Sequence, residues 1–222
     1  MFLNDSLKNS SIGFTFSLFF FIFGLMLAYI LYQKQQKRKY SFLNEFPYEL
    51  YQGVPQRSLS YFYVIEMIKA LGFIWFGFTG FVDNKNYYGI ILITSWTLTA
   101  LLMMALTFVK LRAMKGHIAI VSTLIPLTLV NAVFLGIYFY KTYTLDVPLA
   151  LTIIVFIVAA LVLALSVNPL LKKWPYMDKI EQQDGSIIIL RPKFFVLAYT
   201  EWAMIAINYL LLILAFIGMF FV

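Results

Sequence analysis

The chain has 222 residues, of which 62% are hydrophobic and 12% charged, against about 45–50% and about 25% in a typical water-soluble domain. That balance excludes a soluble globular protein, and the absence of cysteine excludes disulfides, thiol catalysis and cysteine-held metals. The formal net charge of +7 would suit nucleic-acid binding in a soluble chain, but here topology accounts for it and no nucleic-acid partner is expected.

A helix needs about 20 apolar residues to cross the hydrocarbon core. Runs of that kind lie at 12–32, 61–82, 87–109, 118–140, 148–167 and 196–222. They are apolar on all faces, as lipid-bathed helices are. A closed barrel would need alternating strands of about ten residues, and the sequence lacks them. The expected fold is an all-α integral membrane protein, a polytopic bundle of six transmembrane helices forming a single membrane-embedded domain over residues 1–222.

The amino-terminal run is too long for a signal-peptide core, and its positive cluster follows it instead of preceding it, so it is expected to stay as the first span. Residues 33–60 form a long basic loop. It opens on Lys34-Gln35-Gln36-Lys37-Arg38-Lys39, which attracts an anionic leaflet by about 1 kcal/mol per basic residue. It continues as the aromatic stretch Phe46-Pro47-Tyr48-Glu49-Leu50-Tyr51, expected to lie along the membrane interface facing lipid or to dock on a partner.

The second span carries Glu66 about five residues in, with Lys69 at i+3 on the same helical face, so the two can pair. Thr94, Ser95, Thr97 and Thr99 stud the third span. His117 stands at the mouth of the fourth span, where a lone histidine reads as interfacial, with a switch titrating near neutral pH as the lesser alternative; with no second nitrogen or thiolate ligand, zinc is implausible. Deeper in that span Pro126 should bend the helix, with Ser122 or Thr123 placed to satisfy the carbonyl it frees, and Asn131 sits near the centre. Ala160 and Ala164 give the fifth span a small-xxx-small face for close packing.

Residues 168–195 form the second long loop, in which Asp184-Gly185 between two β-prone runs predicts a small hairpin. The sixth span has Glu201 about five residues in and Asn208 near its centre. Glu66, Lys69, Glu201, Asn131 and Asn208 are therefore the candidate intramembrane polar or ion-pathway residues, since ionisable groups in a span are functional candidates and amides there often serve as helix glue.

The connections separate by charge. Thirteen of the seventeen basic residues fall in segments 33–60, 110–117 and 168–195, whereas the opposite side holds only Lys8, Lys85 and Lys141. The positive-inside bias makes those three segments cytoplasmic, two of them long basic loops, and places both chain ends outside. Tyr29, Tyr32, Tyr61, Tyr63, Tyr87, Tyr88, Tyr138 and Tyr140 fall at span ends, as expected of headgroup anchors.

The sequence contains no phosphate loop, zinc helix, serine elbow or lipidation terminus, so no catalytic, metal or cofactor residue is assigned and no enzyme is expected. Richness in isoleucine, phenylalanine, lysine, asparagine and tyrosine points to an AT-rich bacterial genome, hence to the bacterial cytoplasmic membrane. Two function classes fit. One is a non-enzymatic multi-pass protein working beside another membrane protein, as an accessory subunit of a secretion or envelope complex, or against a membrane-active toxin as its immunity protein. The other is a small-solute or ion transporter or channel subunit, with the two glutamates bordering a polar cytoplasmic vestibule.

Overall fold

The computed structural model describes residues 2–82, 87–109, 114–142, 146–173, 178–181, 187–190 and 193–221. Seven α-helices dominate the described residues: α1 (Phe2–Gln36), α2 (Pro47–Gln52), α3 (Leu59–Phe81), α4 (Tyr87–Phe108), α5 (Met114–Thr142), α6 (Asp146–Ser166) and α7 (Val196–Gly218). All but the six-residue α2 are long and apolar enough to cross a membrane, and they fall on the six apolar runs of the sequence. The first extends further than hydropathy suggests. Its 35 residues span about 52 Å at 1.5 Å each.

Neighbouring helices in sequence pack together, with α1 on α3, α3 on α4, α4 on α5 and α5 on α6. Helix α7 closes the arrangement by touching α1, α5 and α6, and it buries more of its apolar span than any other of the six. The core beneath it is aromatic. Trp96, Phe73, Phe76, Phe81 and Phe139 are essentially inaccessible, and Trp96 contacts the Phe73, Phe76 and Phe81 rings.

The α1/α3 contact depends on two glycines. A Cβ on Gly13 would lie 2.6 Å from the Phe76 backbone nitrogen and 2.8 Å from the Gly72 carbonyl, and one on Gly72 would lie 2.8 Å from the Ser17 nitrogen. Backbone meets backbone there, the device by which small residues let membrane helices approach. The expected small-residue face of α6 behaves otherwise. Ala160 and Ala164 are exposed, and the helix packs through Leu151, Val155, Val158, Ala159 and Val162.

Two further expectations are corrected locally. Pro126 lies inside α5, but the Ser122 and Thr123 hydroxyls both donate to the Ala119 carbonyl and not to the Ser122 carbonyl that the proline leaves free. Of the eight tyrosines expected as headgroup anchors, Tyr32 and Tyr138 are buried, while Tyr61, Tyr63, Tyr87 and Tyr140 are exposed. The hairpin is present as β1 (Asp178–Glu181) paired antiparallel with β2 (Ile187–Leu190), Lys179 opposite Ile189. Its Asp184-Gly185 turn lies outside the described residues.

Candidate functional site

The α1–α3 connection folds back into the bundle. The aromatic stretch that hydropathy would leave at the lipid surface is α2, and Phe46, Pro47, Tyr48, Leu50 and Tyr51 are all buried. It packs on α1, α3, α4 and α7, closing one end of the bundle like a plug. Local chemistry builds the helix: Pro47 opens it with a preset φ, and the Glu49 carboxylate accepts the Phe46 N–H at 2.8 Å, the reciprocal half of a capping box. A backbone bond from Phe195 N–H to the Leu43 carbonyl, 2.8 Å, ties the plug to the segment entering α7.

Glu45 fixes the plug in place. Its carboxylate accepts two bonds from Arg38, at 2.6 and 2.9 Å, one from the Tyr32 hydroxyl at 2.8 Å and one from the Ser41 N–H at 2.8 Å. Burial works to raise the Glu45 carboxyl, but the bonds from Arg38, Tyr32 and Ser41 overcome it and hold the group below its ordinary range. The same bond raises the Arg38 guanidinium further. Around it, Tyr40 donates to the Glu45 and Phe46 carbonyls, and Trp202 of α7 donates to the Tyr40 hydroxyl and the Glu45 carbonyl. Burial pushes the Tyr40 hydroxyl well above its usual value, so it stays a donor.

Two buried carboxylates lie under this cover. Glu66 pairs with Lys69 on α3, as the i+3 spacing predicts, and accepts a 2.9 Å bond from Tyr51 of the plug. Burial first and the Glu66 charge second hold the Tyr51 hydroxyl protonated. Glu201 of α7 meets His117 of α5, Nε2 to Oε1 at 2.8 Å, and the other ring nitrogen faces the Val109 carbonyl at the end of α4 at 3.2 Å. The interfacial reading of His117 is thus corrected: it is 1% exposed and paired with a residue 84 positions away. Among the described residues the Glu201 Oε2 atom has no hydrogen-bond partner.

Asn131 and Asn208 meet near the centre of the bundle. Asn131 Nδ2 donates to Thr99 Oγ1 at 2.9 Å and to Asn208 Oδ1 at 3.3 Å, and Asn208 Nδ2 donates to Thr128 Oγ1 at 2.8 Å. Helices α4, α5 and α7 are joined by this cluster, in which Asn131 Oδ1 is the unpartnered atom. All five sequence candidates are buried, in three separate groups. Tyr51 and His117 complete two of those groups, and Glu45 forms a fourth with Arg38, Tyr32 and Ser41; none of the three was among the five candidates. Among the described residues no cluster of histidine and acidic side chains is arranged to hold a metal.

The chain matches no family model, no curated protein and no solved structure.

Proposed function

We propose that this is a multi-pass protein of the bacterial cytoplasmic membrane, with both ends outside and the plugged, basic end in the cytoplasm, acting without catalysis through contact with another membrane protein. An accessory subunit of a secretion or envelope complex and an immunity protein against a membrane-active toxin both belong to this class. One observation carries the reading: Glu66, Lys69, Glu201, Asn131 and Asn208 are all buried, and each has at least one polar atom bonded to Tyr51, His117, Thr99, Thr128 or another of the five. Groups used this way hold helices together. What the protein offers to others is then its outer surface, including the exposed Phe16, Phe19 and Phe23 of α1.

Isolation in mild detergent tests the proposal. A stoichiometric protein partner supports it, whereas stabilisation by a small solute or ion overturns it. A transporter or channel subunit is the second reading, favoured by the unpartnered buried atoms Glu201 Oε2 and Asn131 Oδ1 beneath a plug. The double variant Glu66→Gln with Glu201→Gln separates the two. Loss of folded protein fits the structural role, and intact expression with abolished flux fits transport.

A further inference from the structure

The contacts of His117 fix how many protons its pair with Glu201 holds. The Val109 carbonyl can only accept, so Nδ1, 3.2 Å away, carries a hydrogen. The 2.8 Å contact between Nε2 and Glu201 Oε1 then needs one proton between them, as imidazolium with carboxylate or as neutral imidazole with carboxylic acid. Both forms are neutral overall and differ only in where that proton rests. If it leaves, a ring lone pair faces a carboxylate oxygen, and one uncompensated negative charge remains at a site where His117 is 1% and Glu201 0% exposed. Among the described residues, Glu201 Oε2 has no hydrogen-bond donor to absorb that charge. A bare buried carboxylate is costly, and access to water relieves that cost.

The plug is what stands over the pair. Phe46 and Tyr48 place their rings 5.5 and 5.6 Å from the imidazole, both close to perpendicular. Among the described residues, Glu49, also on the plug, is a further charged group whose field reaches the pair. Helix α7 brings Glu201 itself, and α4 brings only the Val109 carbonyl. On α3, Glu66 is already neutralised by Lys69. The Lys115 side chain and the residues Lys110 and Arg112 lie outside what is described.

We propose that His117 and Glu201 form a one-proton binding site whose proton keeps α2 seated, so that proton release unseats the plug and opens this end of the bundle to water. The site goes beyond partner binding and is compatible with either functional reading. Because the chain has no cysteine, single-cysteine labelling reads it directly. The reporter is Leu50→Cys, at a wholly buried position of α2, and the reference is Gln52→Cys, exposed on the same helix. The ratio of their maleimide rates, taken in the full-length protein in detergent between pH 5.5 and 9, cancels the thiol's own ionisation.

The expected result is a ratio that climbs at least tenfold with pH, and a flat ratio when Glu201→Gln is added, because the amide N–H donates to Nε2 and carries no titrating proton. A flat ratio without that substitution overturns the proposal. So does an equal climb with it. If Glu201→Gln does not fold, the Leu50→Cys profile decides alone, since a plug indifferent to pH leaves the pair no such role.

Discussion

Replacing Glu45 by alanine removes the acceptor of four hydrogen bonds from the plug. The Arg38 part of that loss is small. The arginine side chain is 56% exposed, and surface ion pairs contribute about 0.2–1 kcal/mol. The Tyr32 hydroxyl is different, since its residue is buried and a donor left unsatisfied there costs about 1–3 kcal/mol. One such donor with the weak ion pair gives about 1.2–4 kcal/mol, or roughly 8 to 800-fold in the closed-to-open ratio. The assay is maleimide labelling of Val54→Cys, a conservative change at a buried position in the same apolar cluster as Tyr32, with and without Glu45→Ala. We expect the rate to rise by that factor, and Arg38→Ala to raise it less than fivefold. A rate within twofold of the parent for Glu45→Ala, or equal effects of the two substitutions, would refute the reasoning.

Acid should loosen the same contact in a defined window. A carboxyl held below its ordinary range in the folded state contributes stability above its unfolded value, about 4.3, and loses it as pH falls through the folded value. Val54→Cys protection should therefore persist at pH 5 and fail only below about pH 4, which a quenched labelling series measures. Gly72→Ala forces a methyl group into the Ser17 backbone and should lower detergent stability by about 1–3 kcal/mol, read as a drop in thermal midpoint. Asn208→Leu should lower it by only about 0.6–1.7 kcal/mol, and its effect should be smaller in an Asn131→Leu background, where the shared bond is already gone. Tyr51→Phe leaves Glu66 with Lys69 alone and should destabilise by about 1.5–3 kcal/mol, measured in the same melting experiment.

The spans were legible because apolar length is a local property: a run either suffices to cross hydrocarbon or it does not. The Glu66 and Lys69 pair was legible for the same reason, since i+3 spacing fixes neighbours on one helix. The hairpin followed from its turn residues and strand propensity. What escaped the sequence is tertiary. His117 and Glu201 are 84 positions apart, and nothing local to either residue announces the other.

The plug was misread because Phe46-Pro47-Tyr48-Glu49-Leu50-Tyr51 has the same composition whether it faces lipid or the interior of its own bundle. A signal was present in Pro47 at the first helical position and Glu49 at the third, the grammar of a helix start. Glu45 gave no such sign. A carboxylate in a basic loop reads as solvated until Tyr32, Arg38 and Ser41 are brought around it. The small-residue face of α6 failed for a related reason: spacing shows which residues share a face, not which face meets another helix.

Topology is the claim from which the location of the plug and of the basic loops follows. Cysteines placed one at a time at Ser6, Gln52 and Phe220 test it, with an impermeant maleimide applied first to intact cells and then to opened ones. The account predicts that Ser6→Cys and Phe220→Cys react in intact cells while Gln52→Cys reacts only after opening. Labelling of Gln52→Cys in intact cells, or shielding of either end until the membrane is breached, would contradict it.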